Sequence, residues 1–126
     1  MGPEEAALRH GVDRGDARAT AELAYLLDQR GQLVEAEALY RRAVVGGDVD
    51  AMILLGILLE KRGEWAEAEL VFWRALAEGR VEVASGYLEG ILPRLGSSDM
   101  FERYVEVVED HPEWIRGDEY GRFRPA

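Results

Sequence analysis

Residues 15–46 and 47–78 align without a gap at a spacing of 32, and thirteen aligned positions carry the same residue: Gly15/Gly47, Asp16/Asp48, Ala19/Ala51, Leu23/Leu55, Leu26/Leu58, Leu27/Leu59, Arg30/Arg62, Gly31/Gly63, Glu35/Glu67, Ala36/Ala68, Glu37/Glu69, Arg42/Arg74 and Ala43/Ala75. Ordinary residue usage would give roughly two or three. A period of this length belongs to a repeated helix pair, a unit that cannot bury its apolar face alone and must stack on a neighbour.

Apolar residues follow helical spacing in both halves of the first copy. They are Ala21, Leu23, Ala24, Leu26 and Leu27 within 17–30, and Ala36, Leu39, Tyr40, Ala43 and Val44 within 33–45. Asp16 and Asp48 stand where short carboxylates can cap a helix start, and Gly31 and Gly63 where a left-handed turn ends one. The same pattern puts helices at 49–62 and 65–78. Ahead of the repeats, 3–14 is expected to be a helix packing on the first pair. Behind them, 81–94 reads as a third first-helix with Val81, Ala84, Tyr87, Leu88 and Ile91 on one face. Pro93 ends or kinks it, Gly96-Ser97-Ser98 turns the chain, Asp99 and Glu102 cap a further helix to about residue 110, and His111-Pro112 stops it. The last stretch, with Trp114, Ile115, Tyr120 and Phe123, is either a docked tail or disordered. The organisation is thus a packing helix at 1–16, repeats over 17–110 (17–46, 49–78 and a degenerate 81–110), and a tail at 111–126.

The 126 residues suffice for one domain, and 48% hydrophobic content supports a core. No apolar run approaches the ~20 residues of a membrane span, and the acidic start Met1-Gly2-Pro3-Glu4-Glu5 is unlike a secretory signal, so a cytoplasmic protein is expected. Cysteine is absent, which removes disulfides and thiolate chemistry. A net charge of −10 opposes binding to nucleic acid or anionic lipid and favours a basic partner. Lys61 is the lone lysine beside fourteen arginines, asparagine is missing and Thr20 is the single threonine, a usage that reads as the codon bias of a GC-rich bacterial genome.

The second copy resembles a tetratricopeptide repeat, with affinity to the related Sel1-like repeats, at Leu55-Gly56, Leu59, Gly63, Trp65, Ala68, Phe72, Ala75 and Leu76. The first copy is similar at Leu23, Ala24, Leu27, Gly31, Leu33, Ala36, Tyr40, Ala43 and Val44. In physical terms Gly56 or Ala24 and Ala68 or Ala36 allow close backbone approach, while Phe72 and Tyr40 fill the space between helices. The period departs from the family's 34, and Gly-Asp replaces the usual Pro between repeats. In the third unit a small Ala gives way near Met100 and Phe101, as in a capping unit. The resemblance implies an all-α, right-handed α-solenoid of about seven helices in antiparallel pairs, acting as a non-catalytic scaffold for a protein or peptide. It implies a concave groove at Arg18, Ala21, Tyr25 and Asp28, at Asp50, Ile53, Ile57 and Glu60, and at Glu82, Ser85 and Glu89. Apolar side chains among carboxylates suit an apolar peptide carrying Arg or Lys.

Trp73 stands where the first copy has Arg41 and is expected to emerge on the convex face. There either the tail covers it or it anchors a second subunit; Trp114 is a second candidate for such an interface. The recurring pairs Glu35/Glu37 and Glu67/Glu69 read as a solvated stripe beside Arg41 or Arg74 and not as acid-base groups. His10 and His111 lack the spacing of a metal site. Gly11, Gly15, Gly31 and Gly63 read as helix punctuation, and no nucleophile elbow or phosphate loop appears. The sequence therefore predicts no enzyme activity, cofactor or metal. Two alternatives to the peptide scaffold remain: self-association through end faces or Trp73, and an acidic inhibitor covering a basic partner.

Overall fold

A computed structural model describes residues 2–96 and 100–112, which are all-helical with no strand. The elements are α1 (Pro3–Asp13), α2 (Ala17–Gln29), α3 (Leu33–Val45), α4 (Val49–Lys61), α5 (Trp65–Ala77), α6 (Val81–Ile91), a 3₁₀ turn (Leu92–Leu95) and α7 (Met100–Asp110). The helices of both copies start where the periodicity puts them; α3 also ends there, and α2, α4 and α5 end one residue early. Pro93 has the expected effect: α6 stops at Ile91, the 3₁₀ turn follows, and Gly96 closes it with φ +81°. Residues 97–99 and 113–126, including the Asp99 cap and the tail with Trp114, lie outside the described residues.

One turn is reused at sixteen-residue intervals. Gly15, Gly31, Gly47, Gly63 and Gly79 all have φ between +76° and +110°. At the first, the Gly15 N–H donates to the Val12 carbonyl and the Asp16 N–H to the Gly11 carbonyl, both at 2.9 Å. The same two bonds recur at Gly31/Gln32, Gly47/Asp48, Gly63/Glu64 and Gly79/Arg80. This is the paired closure that satisfies the last carbonyls of a helix, and it needs a left-handed residue that glycine supplies without a Cβ clash. At the first and third turns the residue after the glycine also caps the next helix, the Ala19 N–H donating to Asp16 Oδ1 at 3.1 Å and the Ala51 N–H to Asp48 Oδ1 at 2.8 Å. Helix end and helix start thus share two residues, which keeps the connections short.

The chain divides into two compact units, Met1–Leu58 and Leu59–Ala126. In the first, α2 packs on α3 as a hairpin and α1 packs on α2. Its core comprises Leu23, Ala24, Leu27, Ala36, Tyr40 and Ala43, each no more than 1% exposed. The buried Tyr40 donates its hydroxyl to Asp28 Oδ2 at 2.9 Å, and burial followed by that bond raises its pKa far above the ordinary 10. In the second unit α5 packs on α6, with Ala68, Phe72, Ala75, Ala84, Leu88 and Ile91 wholly enclosed. The Phe72 ring stacks on Tyr87 of α6 at 4.8 Å between centroids and 3° between planes.

Gly11 is not helix punctuation. It lies inside α1, buried, where a Cβ would come within 2.4 Å of the Ala19 Cβ on α2. The absence of a side chain at residue 11 is what lets α1 approach α2. Gly11→Ala is expected to cost about 1–3 kcal/mol through overpacking, and adding Ala19→Gly should recover part of it. Denaturant titration of the three variants checks this, and additive losses in the double variant would contradict the contact.

An ionic clasp also ties α1 to the residues that follow α2. Glu5, 7% exposed, receives Arg30 Nη1 at 2.5 Å and Arg9 Nε at 3.1 Å, while Arg9 Nη2 also reaches Glu35 Oε1 at 3.2 Å. The Arg30 bond, opposed by burial and aided by Arg9, holds the Glu5 carboxyl below its ordinary 4.5. A depressed carboxylate adds stability above its unfolded value and loses it as pH falls through the folded one. Wild-type protein is therefore expected to lose stability below about pH 4.5 more steeply than Glu5→Gln, as read by thermal melts across pH. Parallel acid limbs would contradict it.

Candidate functional site

The groove positions implied by the resemblance fall in both units, so each set is described by itself. In the first, Tyr25 is 48% exposed on α2, while Ala21 is 2% exposed and belongs to the core. Ala21 is therefore not a surface contact. Its neighbours one helical turn away on α2, Arg18 and Tyr25, project outward where Ala21 faces the interior. Arg18 and Asp50, which occupy the same place in the two copies, meet: Arg18 Nη1 lies 2.6 Å from Asp50 Oδ2 and 3.9 Å from Asp48 Oδ2, and Nε donates to Glu22 Oε1 at 3.1 Å. The carboxylates around it raise the Arg18 pKa, the Asp50 bond foremost. Asp28 accepts from Tyr40, so its first role is to satisfy a buried hydroxyl. Ile53 and Ile57 on α4 are half-buried. In the second unit Glu60 and Ser85 are half-buried and Glu82 and Glu89 exposed, with 82, 85 and 89 on one face of α6.

A different cluster stands out chemically. Glu69 on α5 is 1% exposed, so the carboxylate stripe is not solvated at this position. Trp73 Nε1 donates to Glu69 Oε2 at 2.8 Å, Arg103 Nη2 on α7 donates to Oε1 at 2.8 Å, and Arg103 Nε also donates to Oε2. Such a fork contact fixes orientation as well as charge. Arg103 is further bonded to Glu106 Oε2 at 2.8 Å, and Glu69 above all raises its already high pKa. Trp73 itself is 2% exposed and does not emerge on a free convex face. Among the described residues α7 lies against it, the Tyr104 ring 5.7 Å away at 48°, while the tail that the sequence offered as its cover lies outside the described residues. The second candidate for an interface, Trp114, lies outside the described residues.

The sequence did hold a signal for this cluster. Both copies keep a glutamate at this position, 37 and 69, yet only the first keeps an arginine one turn later. Glu37 is bonded by Arg41 at 2.9 Å on its own helix, whereas Glu69 faces Trp73 and draws its cation from 34 residues away. A retained acid that has lost its adjacent base predicts a partner from elsewhere in the fold.

Near the start of α5, residues 63–67 and Leu95 line a shallow concavity of about 500 Å³. The Arg94 guanidinium sits 4.5 Å above the Trp65 ring beside it, a cation–π contact that holds the 3₁₀ turn against α5. Among the described residues no group of three His, Asp or Glu is placed to hold a metal ion, and no helix is long and apolar enough to cross a membrane. Comparison of the chain with family models, curated proteins and solved structures found no match.

Proposed function

We propose that this chain is a non-catalytic binding scaffold, a tetratricopeptide-like α-solenoid that holds a protein or peptide segment carrying basic residues in the cytoplasm. The observation that carries the reading is the reuse of one helix-turn-helix geometry, glycine closure, aspartate cap and small-residue packing included, at a constant interval along the chain. Units built this way present the first helix of each pair as a rigid surface, so a guest binds without ordering the host. Tyr25 offers apolar area on α2, and Glu82 and Glu89 offer charge on α6. The net charge of −10 adds long-range attraction for a cationic guest.

The mutual pairing of Arg18 and Asp50 shifts the expected charge selection from the first copy toward Glu82 and Glu89. Arg-rich amphipathic peptides should bind and should weaken as salt rises, because exposed charges are screened within about 10 Å at 0.1 M ionic strength. Glu82→Lys with Glu89→Lys should reduce the salt dependence, and Tyr25→Ala should weaken binding by roughly tenfold, as one lost aromatic anchor does. Titration at low and high salt tests this. Uniform failure to bind, or binding indifferent to salt, would overturn it.

A further inference from the structure

Equivalent helices in the two copies are finished differently on their outer faces. On α3, Val34 is 90% exposed and Val45 84% exposed, and Glu37 is bonded within the helix by Arg41. On α5, the positions matching Glu37, Arg41 and Val45 are Glu69, Trp73 and Ala77, all at most 5% exposed. Positions 37, 41 and 45, half-buried or exposed on α3, are matched on α5 by positions that are buried, while Ala66, which matches Val34, stays exposed. Trp73, where α3 has an arginine, adds apolar area and leaves Glu69 without a base one turn along its own helix.

The covering element is an amphipathic helix. Arg103, Tyr104 and Val107 share one side of α7; Arg103 forks onto Glu69, the Tyr104 ring lies on Trp73, and Val107 is 3% exposed. Glu102, Glu106, Glu109 and Asp110 are exposed. The fit has one flaw. The Tyr104 hydroxyl is enclosed and has no hydrogen-bond partner among the described residues, although a buried hydroxyl normally finds one. The Arg103 fork, the indole and the buried Val107 are matched, so α7 occupies a built receptor with one group it does not accommodate.

We propose that Glu69 and Trp73 form a docking site for an amphipathic helix bearing an arginine, with α7 as its built-in occupant, and that a helix of this chemistry from another molecule displaces α7. The carboxylate orients the guanidinium, the indole supplies the apolar wall, and the acidic outer side of the docked helix stays in water. A competitor with a ring but no hydroxyl at the Tyr104 position meets no unpaired group and outcompetes α7. The site is separate from the proposed groove and does not depend on it.

Labelled peptides of residues 100–112 titrated into the full chain, followed by fluorescence anisotropy, test this directly. The Tyr104→Phe peptide is expected to bind about tenfold tighter than the native one, the lower range for relieving one buried unpaired hydroxyl. The Arg103→Ala peptide should bind at least about tenfold weaker. A full chain carrying Tyr104→Phe, whose own α7 fits better, should resist all three, and Tyr25→Ala in the full chain should change nothing. Equal binding of the three peptides, or none to the wild-type chain up to millimolar concentration, would overturn the proposal. Loss of binding in the Tyr25→Ala chain would also overturn it, by assigning the peptides to the groove.

Discussion

Phe72→Ala should destabilise the protein by about 3–5 kcal/mol, the range for deleting a wholly buried aromatic ring. Phe72 has no exposed surface, and its ring is one half of a parallel stack whose other half, Tyr87, belongs to a different helix. Truncation removes the transfer free energy of the ring and the pairing term of about 0.5–1.5 kcal/mol, and it leaves a hole between α5 and α6. Little can move in to fill it, because Ala68, Ala75 and Ala84 nearby in the core are already small and enclosed. Phe72→Leu keeps much of the volume and should cost less than half as much. Equilibrium unfolding in denaturant measures both. A loss below about 1 kcal/mol for the alanine variant would mean that α5 and α6 are not held by this stack.

Arg103→Ala is the second large effect, expected at about 3 kcal/mol, the lower end for breaking a buried ion pair from one side. The asymmetry of the pair sets the direction. Removing Arg103 strands a carboxylate whose side chain is 2% exposed, with the Trp73 N–H as its one remaining donor among the described residues. Removing the charge from the other side, in Glu69→Gln, leaves an arginine already 33% exposed that can turn to water, and the amide oxygen still accepts from the indole. Glu69→Gln should therefore cost less than half as much. The ceiling on the Arg103→Ala loss is the free energy of undocking α7, since a released helix lets water reach Glu69. Replacing both residues by leucine should restore most of the loss, because a buried ion pair is held at the expense of desolvating both charges. A double-mutant cycle measures the coupling, and a value under about 0.5 kcal/mol would contradict the geometry.

Much of the fold was legible in particular residues. The helix starts at Ala17, Leu33, Val49, Trp65 and Val81 follow from apolar spacing and from the Gly that ends the helix before each. Asp16 and Asp48 announced their capping role, and Pro93 announced the end of α6. Gly11 was misread because a glycine two residues from a helix end looks like a terminator. Its actual reason is Ala19, on the next helix. Among the groove residues, Ala21 was misplaced for a related reason: a resemblance transfers a position, while the side chain's surroundings belong to this chain.

What the sequence determined by itself is the succession of helices and turns, because caps and glycine closures are bonds between residues at most five apart and repeat whenever the residues repeat. Which helix faces are covered was decided by the tertiary structure alone. Glu69, Trp73 and Arg103 lie up to 34 residues apart, and the burial of a carboxylate depends on whether a cation from a distant helix arrives to satisfy it. Local chemistry fixed the units, and long-range electrostatics and packing chose their partners.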